Sequence, residues 1–207
     1  RGFSLSNITN AKNLPDSLLI EAHDNLNIYY APFDYVNPNA KVVIVGITPG
    51  FTQLKNAYVS LQTSLNNGNS IEQALKQAKS DASFSGAMRK NLVEMLDFVG
   101  VQKWLGISSC SALFAEDSHL LHSTSALKYP VFVDYKNYNG TPNMIKNDLL
   151  KRYLSEHFGQ EVKALQNAIF IPLGPKPAEA LNYLADTGYL NKERVFLGFP
   201  HPSPASM

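Results

Sequence analysis

The sequence predicts an α/β protein in which a central, mostly parallel sheet lies between two layers of helices. The first observation is the run at residues 42–45, where four consecutive β-branched side chains are typical of a strand buried on both faces. The second is the alternation of short apolar runs with helical segments along the chain, which is the pattern of βα units. With 207 residues, 44% of them hydrophobic, the chain can bury roughly 70% of its unfolded surface. We therefore expect one three-layer α/β/α sandwich domain over residues 1–207.

Residues 1–40 are predicted to pack on this domain as a lead-in helix and an aromatic loop. A helix start is indicated at Pro15, with Leu18 and Leu19 on its short apolar face. Residues 26–40 combine aromatic side chains with prolines and are predicted to form a loop. This loop either packs on the edge of the core or forms one wall of a binding cleft.

Two helical segments follow the central strand. Residues 52–83 are polar and helix-prone, and Ser70 is a good N-cap after the turn at residues 66–69. Residues 86–99 carry apolar side chains at helical spacing, and Gly100 supplies the stop. The side chains predicted to face the core from this second helix are Leu92, Met95, Leu96 and Val99.

The second half of the chain continues the alternation of apolar runs and helical segments. Helices are predicted at residues 143–158, 161–167 and 175–187. Strands are predicted at residues 168–173 and 194–199, and in one or both of the segments 105–114 and 119–127. Residues 130–142 are predicted to form a loop or an irregular hairpin.

Composition excludes several classes of protein. The formal net charge is +1, with 18 basic and 17 acidic side chains, so the chain lacks the basic footprint of proteins that coat DNA. Cys110 is the single cysteine, which excludes an intrachain disulfide, a cysteine-rich zinc site and a cysteine-ligated iron–sulfur cluster. No apolar run reaches the roughly 20 residues needed to span a membrane, and we see no signal peptide. We expect a cytoplasmic protein that uses no metal and no other cofactor.

Two rigid loops follow predicted strands, at residues 46–51 and 198–206. In a parallel sheet both loops lie at the carboxyl ends of the strands, where open α/β sheets place their ligands. In the first loop, Gly46 allows a close approach of the backbone, Pro49 removes a donor and Gly50 permits a left-handed turn. The alternative is that this loop is only a tight turn without chemistry.

In the second loop, His201 lies between Pro200 and Pro202, and the two prolines restrict the backbone on either side of it. A fixed imidazole of this kind is suited to donate a hydrogen bond to developing negative charge. The alternative for this residue is a structural role in a proline-rich loop.

Both loops resemble motifs of the uracil-DNA glycosylase superfamily. Residues 46–50, Gly-Ile-Thr-Pro-Gly, are similar to its first motif, and residues 201–206, His-Pro-Ser-Pro-Ala-Ser, are similar to its second. Phe84 with the helix after it, and residues 124–128, resemble further segments, so the likeness covers about residues 41–206. It implies a monofunctional hydrolase, without an iron–sulfur cluster, that cleaves the N-glycosidic bond of uracil or a related damaged or mismatched base. Such an enzyme flips the base out of DNA before it reacts.

The resemblance also assigns roles to residues of this chain. His201 would donate to the pyrimidine O2 and stabilise the base anion, and Thr48 holds the position that activates water. Phe84 would stack on the base, and Ser125 takes the place of the asparagine that reads the uracil edge. The floor of the base pocket would be formed by Gly46, Ile47, Pro49, Gly50 and Phe51. The DNA contacts would come from Lys128, Pro202, Ser203, Ala205 and Ser206.

Three departures from the family pattern favour an alternative function. Thr48 cannot act as a carboxylate base near pH 7, and Ser125 lacks the paired donor and acceptor of an asparagine. Ala205 stands where many members carry a large wedge residue. The alternative is a catalytically weak or inactive member of the same fold that binds nucleic acid or a nucleobase. A third hypothesis is a hydrolase of a small nucleoside or of another modified base. We expect DNA as the partner, no membrane association and a monomeric state.

Overall fold

The structure is a computed structural model, and it describes residues 8–84 and 87–203. It confirms an α/β protein, whose chain divides into two compact units. The first unit consists of the chain up to Tyr35, Ile47–Ser83 and Ser125–Phe158. The second unit consists of Val36–Gly46, Phe84–Thr124 and the chain from Gly159 onward. The single domain over residues 1–207 stays a prediction.

Short strands and helices alternate through the described part of the chain. The strands are β1 (Leu19–His23), β2 (Leu26–Tyr29), β3 (Val42–Gly46), β4 (Leu121–Ser125), β5 (Val131–Val133), β6 (Lys136–Asn137) and β7 (Ile169–Pro172). The α-helices are α1 (Phe51–Asn66), α2 (Ile71–Ala82), α3 (Ala87–Phe98), α4 (Val101–Leu105), α5 (Asp148–Tyr153), α6 (Gly159–Ala164) and α7 (Pro175–Asp186). A π-helix at Leu154–Phe158 continues α5. Short 3-10 helices lie at Ala11–Asn13, Asp16–Leu18, Cys110–Phe114, Ser118–Leu120 and Lys192–Arg194.

The first unit contains an antiparallel sheet in the order β1-β2-β5-β6. Its hairpins turn tightly because Asp24, Asp134 and Tyr135 adopt left-handed backbone angles, with φ of 52°, 48° and 60°. Helices α1 and α2 pack against each other in the same unit. Leu54 of α1 and Phe132 of β5 belong to one fully buried hydrophobic core, so the helices and the sheet share it.

The second unit contains a three-stranded sheet in the order β4-β3-β7, in which β3 and β7 run parallel. Val42 pairs with Ile169 and Val45 with Pro172, and residues 42–45 are completely buried. The run of β-branched residues therefore forms the central strand that the sequence predicts. As the middle strand it is paired along both backbone edges, and its apolar side chains are covered on both faces of the sheet.

The core of the second unit joins this sheet to helix α3. Leu92 and Leu96 are fully buried against it, as the helical spacing predicts. Cys110 is also fully buried, and its N–H donates to Asp97 Oδ1 at 2.7 Å. Burial, followed by the neighbouring Asp97 carboxylate, raises the pKa of the Cys110 thiol to about 12. The thiol therefore behaves as a small apolar core residue.

Most predicted helices are confirmed, because their ends carry strong local signals. Ser70 caps α2: its hydroxyl accepts the Gln73 N–H at 3.3 Å, and its own N–H donates to the Gln73 side chain at 2.9 Å. Gly100 and Gly188 follow α3 and α7 with φ of 84° and 81°, as glycines that end helices do.

The predicted helix at Pro15 is wrong. Asp16–Leu18 form a single 3-10 turn, and the chain then enters β1 at Leu19. β1 pairs with β2, and β2 itself begins the stretch predicted as an aromatic loop. The helix signal at Pro15 is weak, and the pairing of β1 with β2 overrides it, because the stability of a strand depends mostly on packing against its neighbours.

Two predictions near the site are also wrong. The strand predicted at residues 194–199 is reduced to one bridge between Val195 and Phe170, and the following Leu197 is 51% exposed. Val99, which was predicted to face the core, is 57% exposed at the end of α3. Apolar composition alone does not reveal that this segment leaves the sheet and reaches the surface.

Candidate functional site

The loop that carries His201 is fixed at two points in the second unit. The Gly174 N–H, between β7 and α7, donates to the Phe199 carbonyl at 2.9 Å. Asn91 of α3 donates its side-chain amide to the Pro202 carbonyl at 3.0 Å. The sheet edge and helix α3 therefore hold the backbone on both sides of the imidazole.

The hydrogen bonds of His201 define which ring nitrogen carries its proton. The Ser203 N–H donates to His201 Nδ1 at 3.2 Å, so Nδ1 is an acceptor and the proton lies on Nε2. Burial lowers the pKa of this histidine below its usual value near 6.5. At pH 7 the side chain is therefore a neutral imidazole with one donor, Nε2–H.

Phe84 lies just before α3 in an unusual backbone conformation. Its φ is 39°, in the left-handed region that residues other than glycine seldom adopt. The Arg89 side chain donates to the Phe84 carbonyl at 2.6 Å, and the Arg89 guanidinium lies 4.9 Å from the centre of the Phe114 ring. Strain of this kind persists where surrounding contacts hold it, and it is frequent at functional sites.

Helix α3 organises both of these segments. Arg89 holds the Phe84 backbone and Asn91 holds the His201 loop, and the two residues lie in the first half of one helix. Helix α3 therefore anchors the segment that carries Phe84 and the loop that carries His201. Ser85 and Gly86, which belong to the same predicted motif, lie outside the described residues.

A cavity of about 460 Å³ opens in the second unit between the last part of α3 and the segment before His201. Most of its lining is apolar. The lining residues are Glu94, Met95, Phe98, Val99, Leu197, Gly198, Phe199 and Pro200.

In the first unit, the hydroxyl of Thr48 bridges two backbone groups. Its Oγ1 donates to the Tyr129 carbonyl at 3.0 Å and accepts the Val131 N–H at 3.2 Å. The Leu127 N–H donates to the Ile47 carbonyl at 2.9 Å. These bonds join the Thr48 loop to the chain that follows Ser125, which ends β4. The hydrogen of the Thr48 hydroxyl is used within the protein, and one lone pair remains.

The left-handed turn predicted at Gly50 is wrong. Its φ is −86°, and it serves as the N-cap of α1, with its N–H donating to Gln53 Oε1 at 3.1 Å. Glycine is favoured here by close packing, since a Cβ would lie 2.9 Å from Gln53 Oε1 and 3.1 Å from Asn137 Nδ2. Phe51 begins the helix, donates its N–H to Asn137 Oδ1 at 2.9 Å and packs against the core of the first unit.

Lys128 belongs to a polar cluster that the sequence does not reveal. Its ammonium lies 3.4 Å from Asp34 Oδ1, and its side chain is only 14% exposed. Asp34 also accepts the hydroxyls of Tyr30 at 2.7 Å and Tyr129 at 2.9 Å. The ring of His157, on the π-helix, lies 5.1 Å from that of Tyr129, and burial, followed by Lys128, lowers the pKa of His157. These residues are scattered along the chain, so no local pattern announces them.

A second unforeseen cluster is buried in the second unit. His122 Nε2 lies 2.7 Å from Glu161 Oε1, and both side chains are almost completely buried. The Asn37 N–H donates to His122 Nδ1 at 3.3 Å, which places the histidine proton on Nε2, facing the carboxylate. The Asn37 side chain donates to the carbonyls of His119 at 2.8 Å and Leu121 at 2.9 Å. This cluster ties the chain before β3 to β4.

The predicted site residues are distributed over both units. The second unit contains Gly46, Phe84, His201, Pro202 and Ser203. The first unit contains Ile47, Thr48, Pro49, Gly50, Phe51, Ser125 and Lys128. Ala205 and Ser206 lie outside the described residues.

Residues 8–84 and 87–203 contain neither a metal-binding cluster nor a membrane-spanning helix. No group of three or more His, Cys, Asp or Glu side chains there is arranged to hold a metal ion. No helix in the same ranges is both long and apolar enough to cross a bilayer.

Comparison with known proteins identifies one relative over the whole chain. The chain is 40% identical to "Uncharacterized protein YoxB" of Bacillus subtilis over 207 residues, which is 99% of this chain and 81% of that protein. No model of a known protein family matches the chain. No solved structure matches it either.

Proposed function

The chain belongs to the same family as the uncharacterized protein YoxB of Bacillus subtilis, and from the geometry of its own residues we propose that it is a DNA glycosylase. Its substrate is uracil, or a related damaged or mismatched base, flipped out of DNA. The oxygen of water bonds to the sugar C1′, and the electron pair of the glycosidic bond leaves with the base nitrogen. The water proton that is released neutralises the base anion, and the products are the free base and an abasic site.

The observation that carries this proposal is the hydrogen bond from Ser203 to His201. Its Nδ1 accepts the Ser203 N–H, so Nε2 presents a proton without a positive charge. In the proposed reaction Nε2–H donates a hydrogen bond to the pyrimidine O2, where negative charge develops as the glycosidic bond breaks, and the proton stays on His201. A pre-organised donor of this kind acts without reorganisation during the reaction.

Other residues of the second unit have supporting roles in the proposal. Phe84 stacks on the flipped base, held by the hydrogen bond between its carbonyl and Arg89. Gly46 forms part of the pocket floor. Ser203 contacts a backbone phosphate of the DNA, and Pro202, Ala205 and Ser206 also contact the DNA. The proposal also includes a three-layer α/β/α sandwich, a monomeric state, a cytoplasmic location and no cofactor.

Residues of the first unit keep the roles that the resemblance implies. Thr48 orients water through its remaining lone pair, and Ser125 reads the base edge. Ile47, Pro49, Gly50 and Phe51 complete the pocket floor, and Lys128 contacts DNA. Because the Thr48 hydrogen is donated to Tyr129, the proposed reaction depends on stabilising the leaving base and not on a strong base for water.

The proposal is tested by measuring uracil release from single-stranded DNA and from a duplex with a G·U pair. The wild-type protein should leave abasic sites that break in alkali. His201→Ala should lower the rate about 100- to 1000-fold, which is the usual effect of removing one pre-organised donor. His23→Ala is the matched control, because His23 is an exposed histidine in a hairpin of the other unit. No release above a blank at high protein concentration would refute the proposal.

A second candidate function is nucleic-acid binding without turnover. The observation that favours it is the Thr48 hydroxyl, whose hydrogen and one lone pair are both used by the backbone. This candidate predicts that fluorescently labelled DNA with an abasic site or a uracil binds to the protein while no base is released. Both candidates would be contradicted if no base is released and the protein binds abasic, uracil-containing and unmodified DNA with the same low affinity.

A further inference from the structure

The cavity in the second unit and the His201 loop lie along the same face of α3. Asn91, Met95 and Phe98 are spaced at i, i+4 and i+7, so they share that face. Asn91 bonds to Pro202, whereas Met95 and Phe98 line the cavity with residues 197–200. The seven-residue step from Asn91 to Phe98 corresponds to about 10 Å along the helix axis. The cavity therefore lies within about 10 Å of the loop that holds the imidazole.

The wall of this cavity exposes apolar side chains that a folded protein ordinarily covers. Phe98 is 90% exposed and Leu197 is 51% exposed. The volume of about 460 Å³ falls within the range of sites that hold small ligands. A large exposed aromatic ring beside such a cavity offers a flat face to a flat partner.

Glu94 is the charged member of the cavity lining. Its Oε1 lies 3.8 Å from the Lys90 ammonium, one turn earlier on α3, so the carboxylate is accompanied by a cation at the rim. A carboxylate accepts hydrogen bonds from the exocyclic amino groups of nucleobases, as in the contact of Glu or Asp with the N4 amino group of cytosine. The neighbouring cation reduces the repulsion that a lone carboxylate would exert on a phosphate backbone.

We propose that this cavity binds an unpaired nucleobase of the same strand, close to the base that is excised, by stacking it on Phe98. The inference rests on the proposed function, because it uses the position of His201 as the place of reaction. Stacked nucleotides advance about 3.4 Å along a strand, so a distance of about 10 Å spans at most three nucleotides. The protein therefore reads single-stranded or locally melted DNA, with Glu94 favouring a neighbour that carries an amino group.

The test is a scan of single-stranded oligonucleotides with one uracil and one abasic analogue. The analogue, tetrahydrofuran, is placed in turn at each of the three positions on either side of the uracil. For the wild-type protein, we expect one position at which the missing base lowers binding and excision by roughly 5- to 150-fold, the usual range for a base stacked on an aromatic ring. On the intact oligonucleotide, Phe98→Ala should lower binding and excision by the same factor as the missing base does in the wild type. When the analogue occupies that position, the variant should show no further loss.

Two further variants separate stacking from a general effect on the protein. Phe98→Trp keeps an aromatic face and should retain the sensitivity to the analogue. Trp104→Ala removes another exposed aromatic side chain of the same unit, outside the cavity, and should behave like the wild type. Because Phe98 is exposed, its substitution should leave the fold intact.

The outcomes distinguish this inference from the proposed function. If the wild-type protein releases no uracil at all, the proposed function fails, and with it the inference. If uracil is released but no position of the analogue matters, the inference alone is overturned. It is also overturned if the losses from Phe98→Ala and from the analogue multiply, because the ring and the missing base would then act independently.

Discussion

His201 presents one proton and no positive charge, and both properties come from its neighbours. The Ser203 N–H occupies Nδ1, and burial disfavours the imidazolium. Prolines at positions 200 and 202 restrict the backbone, while Gly174 and Asn91 hold it from outside the loop. Because burial lowers the pKa of His201 below its usual value near 6.5, this histidine stays a neutral donor at pH 7 and above.

The lowered pKa of His201 predicts the pH dependence of excision. Protonation adds a proton at Nδ1 and so breaks the bond from Ser203. The rate of excision should stay constant as pH falls from 8 to about 6.5. Below that value the logarithm of the rate should fall by one for each pH unit. A midpoint above 6.5 in a pH profile of single-turnover rates would contradict the assignment. His201→Asn, which keeps a donor that does not titrate, should remove this decline from the residual rate.

The same shift has a consequence for stability. The folded protein disfavours the charged imidazole, so the unfolded chain takes up a proton at pH values where the folded chain does not. The free energy of unfolding should therefore fall as pH decreases through about 6.5, and this contribution should level off below the pKa of the folded state. Urea unfolding of the wild type and of His201→Asn across this range measures the difference.

Residues whose roles depend on contacts between distant segments cannot be identified from the sequence. The phenylalanine, histidine and threonine of the predicted site could be named from local motifs. Asp34 could not, because the three side chains that meet it come from Tyr30, Lys128 and Tyr129. The pair of His122 and Glu161 is equally invisible, since nothing near either residue in the sequence indicates burial of the other.

At the scale of elements, the glycines that begin α1 and α7 differ in their physical role. Gly174 has φ of 93°, which an L-residue adopts only with strain, whereas Gly50 has φ of −86°. Gly68 has φ of 82°, and a Cβ added there would have no atom within 4 Å. Its substitution therefore measures backbone strain without any steric clash. These three positions form a natural set for comparison.

Alanine substitutions at these glycines should therefore have unequal effects on stability. Gly68→Ala should lower the free energy of unfolding by about 1–2 kcal/mol, the usual penalty of the left-handed region. Gly174→Ala should lower it by about 1–3 kcal/mol, because its φ of 93° and ψ of 177° belong to a region that only glycine adopts without strain. Gly50→Ala should cost less, because its φ of −86° suits alanine and only the side-chain ends of Gln53 and Asn137, 2.9 Å and 3.1 Å from the added Cβ, must move. Urea unfolding measures all three. Only Gly174→Ala should also slow the proposed excision, because the strained backbone shifts the N–H that bonds to Phe199 and the added Cβ lies 3.8 Å from His201 Cβ. Equal losses of rate in Gly68→Ala would contradict this.

The elements that were predicted correctly are those with a complete local signal. Strand β3 is a run of β-branched residues, α2 has a capping box and α7 is bounded by proline and glycine. β1 and the chain after Val195 lack such signals, and their conformations are set by β2 and by the edge of β7. A short apolar segment fits a strand, a helix or an exposed surface equally well until its neighbours are known.

At the scale of the whole molecule, a net charge of +1 limits the electrostatic part of the proposed binding to DNA. Lys128, a predicted phosphate contact, already pairs with Asp34. Binding to labelled abasic DNA should therefore depend weakly on salt, with a slope of log Kd against log salt between about 1 and 3. Fluorescence anisotropy between 50 and 200 mM salt measures this slope. A value above about 5 would indicate a basic surface that these residues do not provide.

The deep position of Cys110 gives this protein a practical property for spectroscopy. Its thiol is fully buried with a pKa of about 12, so maleimide dyes should leave it untouched in the folded state. A cysteine introduced at an exposed position of either unit would then be the single labelling point, without any need to remove the natural one. Fluorophores or spin labels attached in this way would test whether the protein changes conformation when the proposed DNA ligand is added.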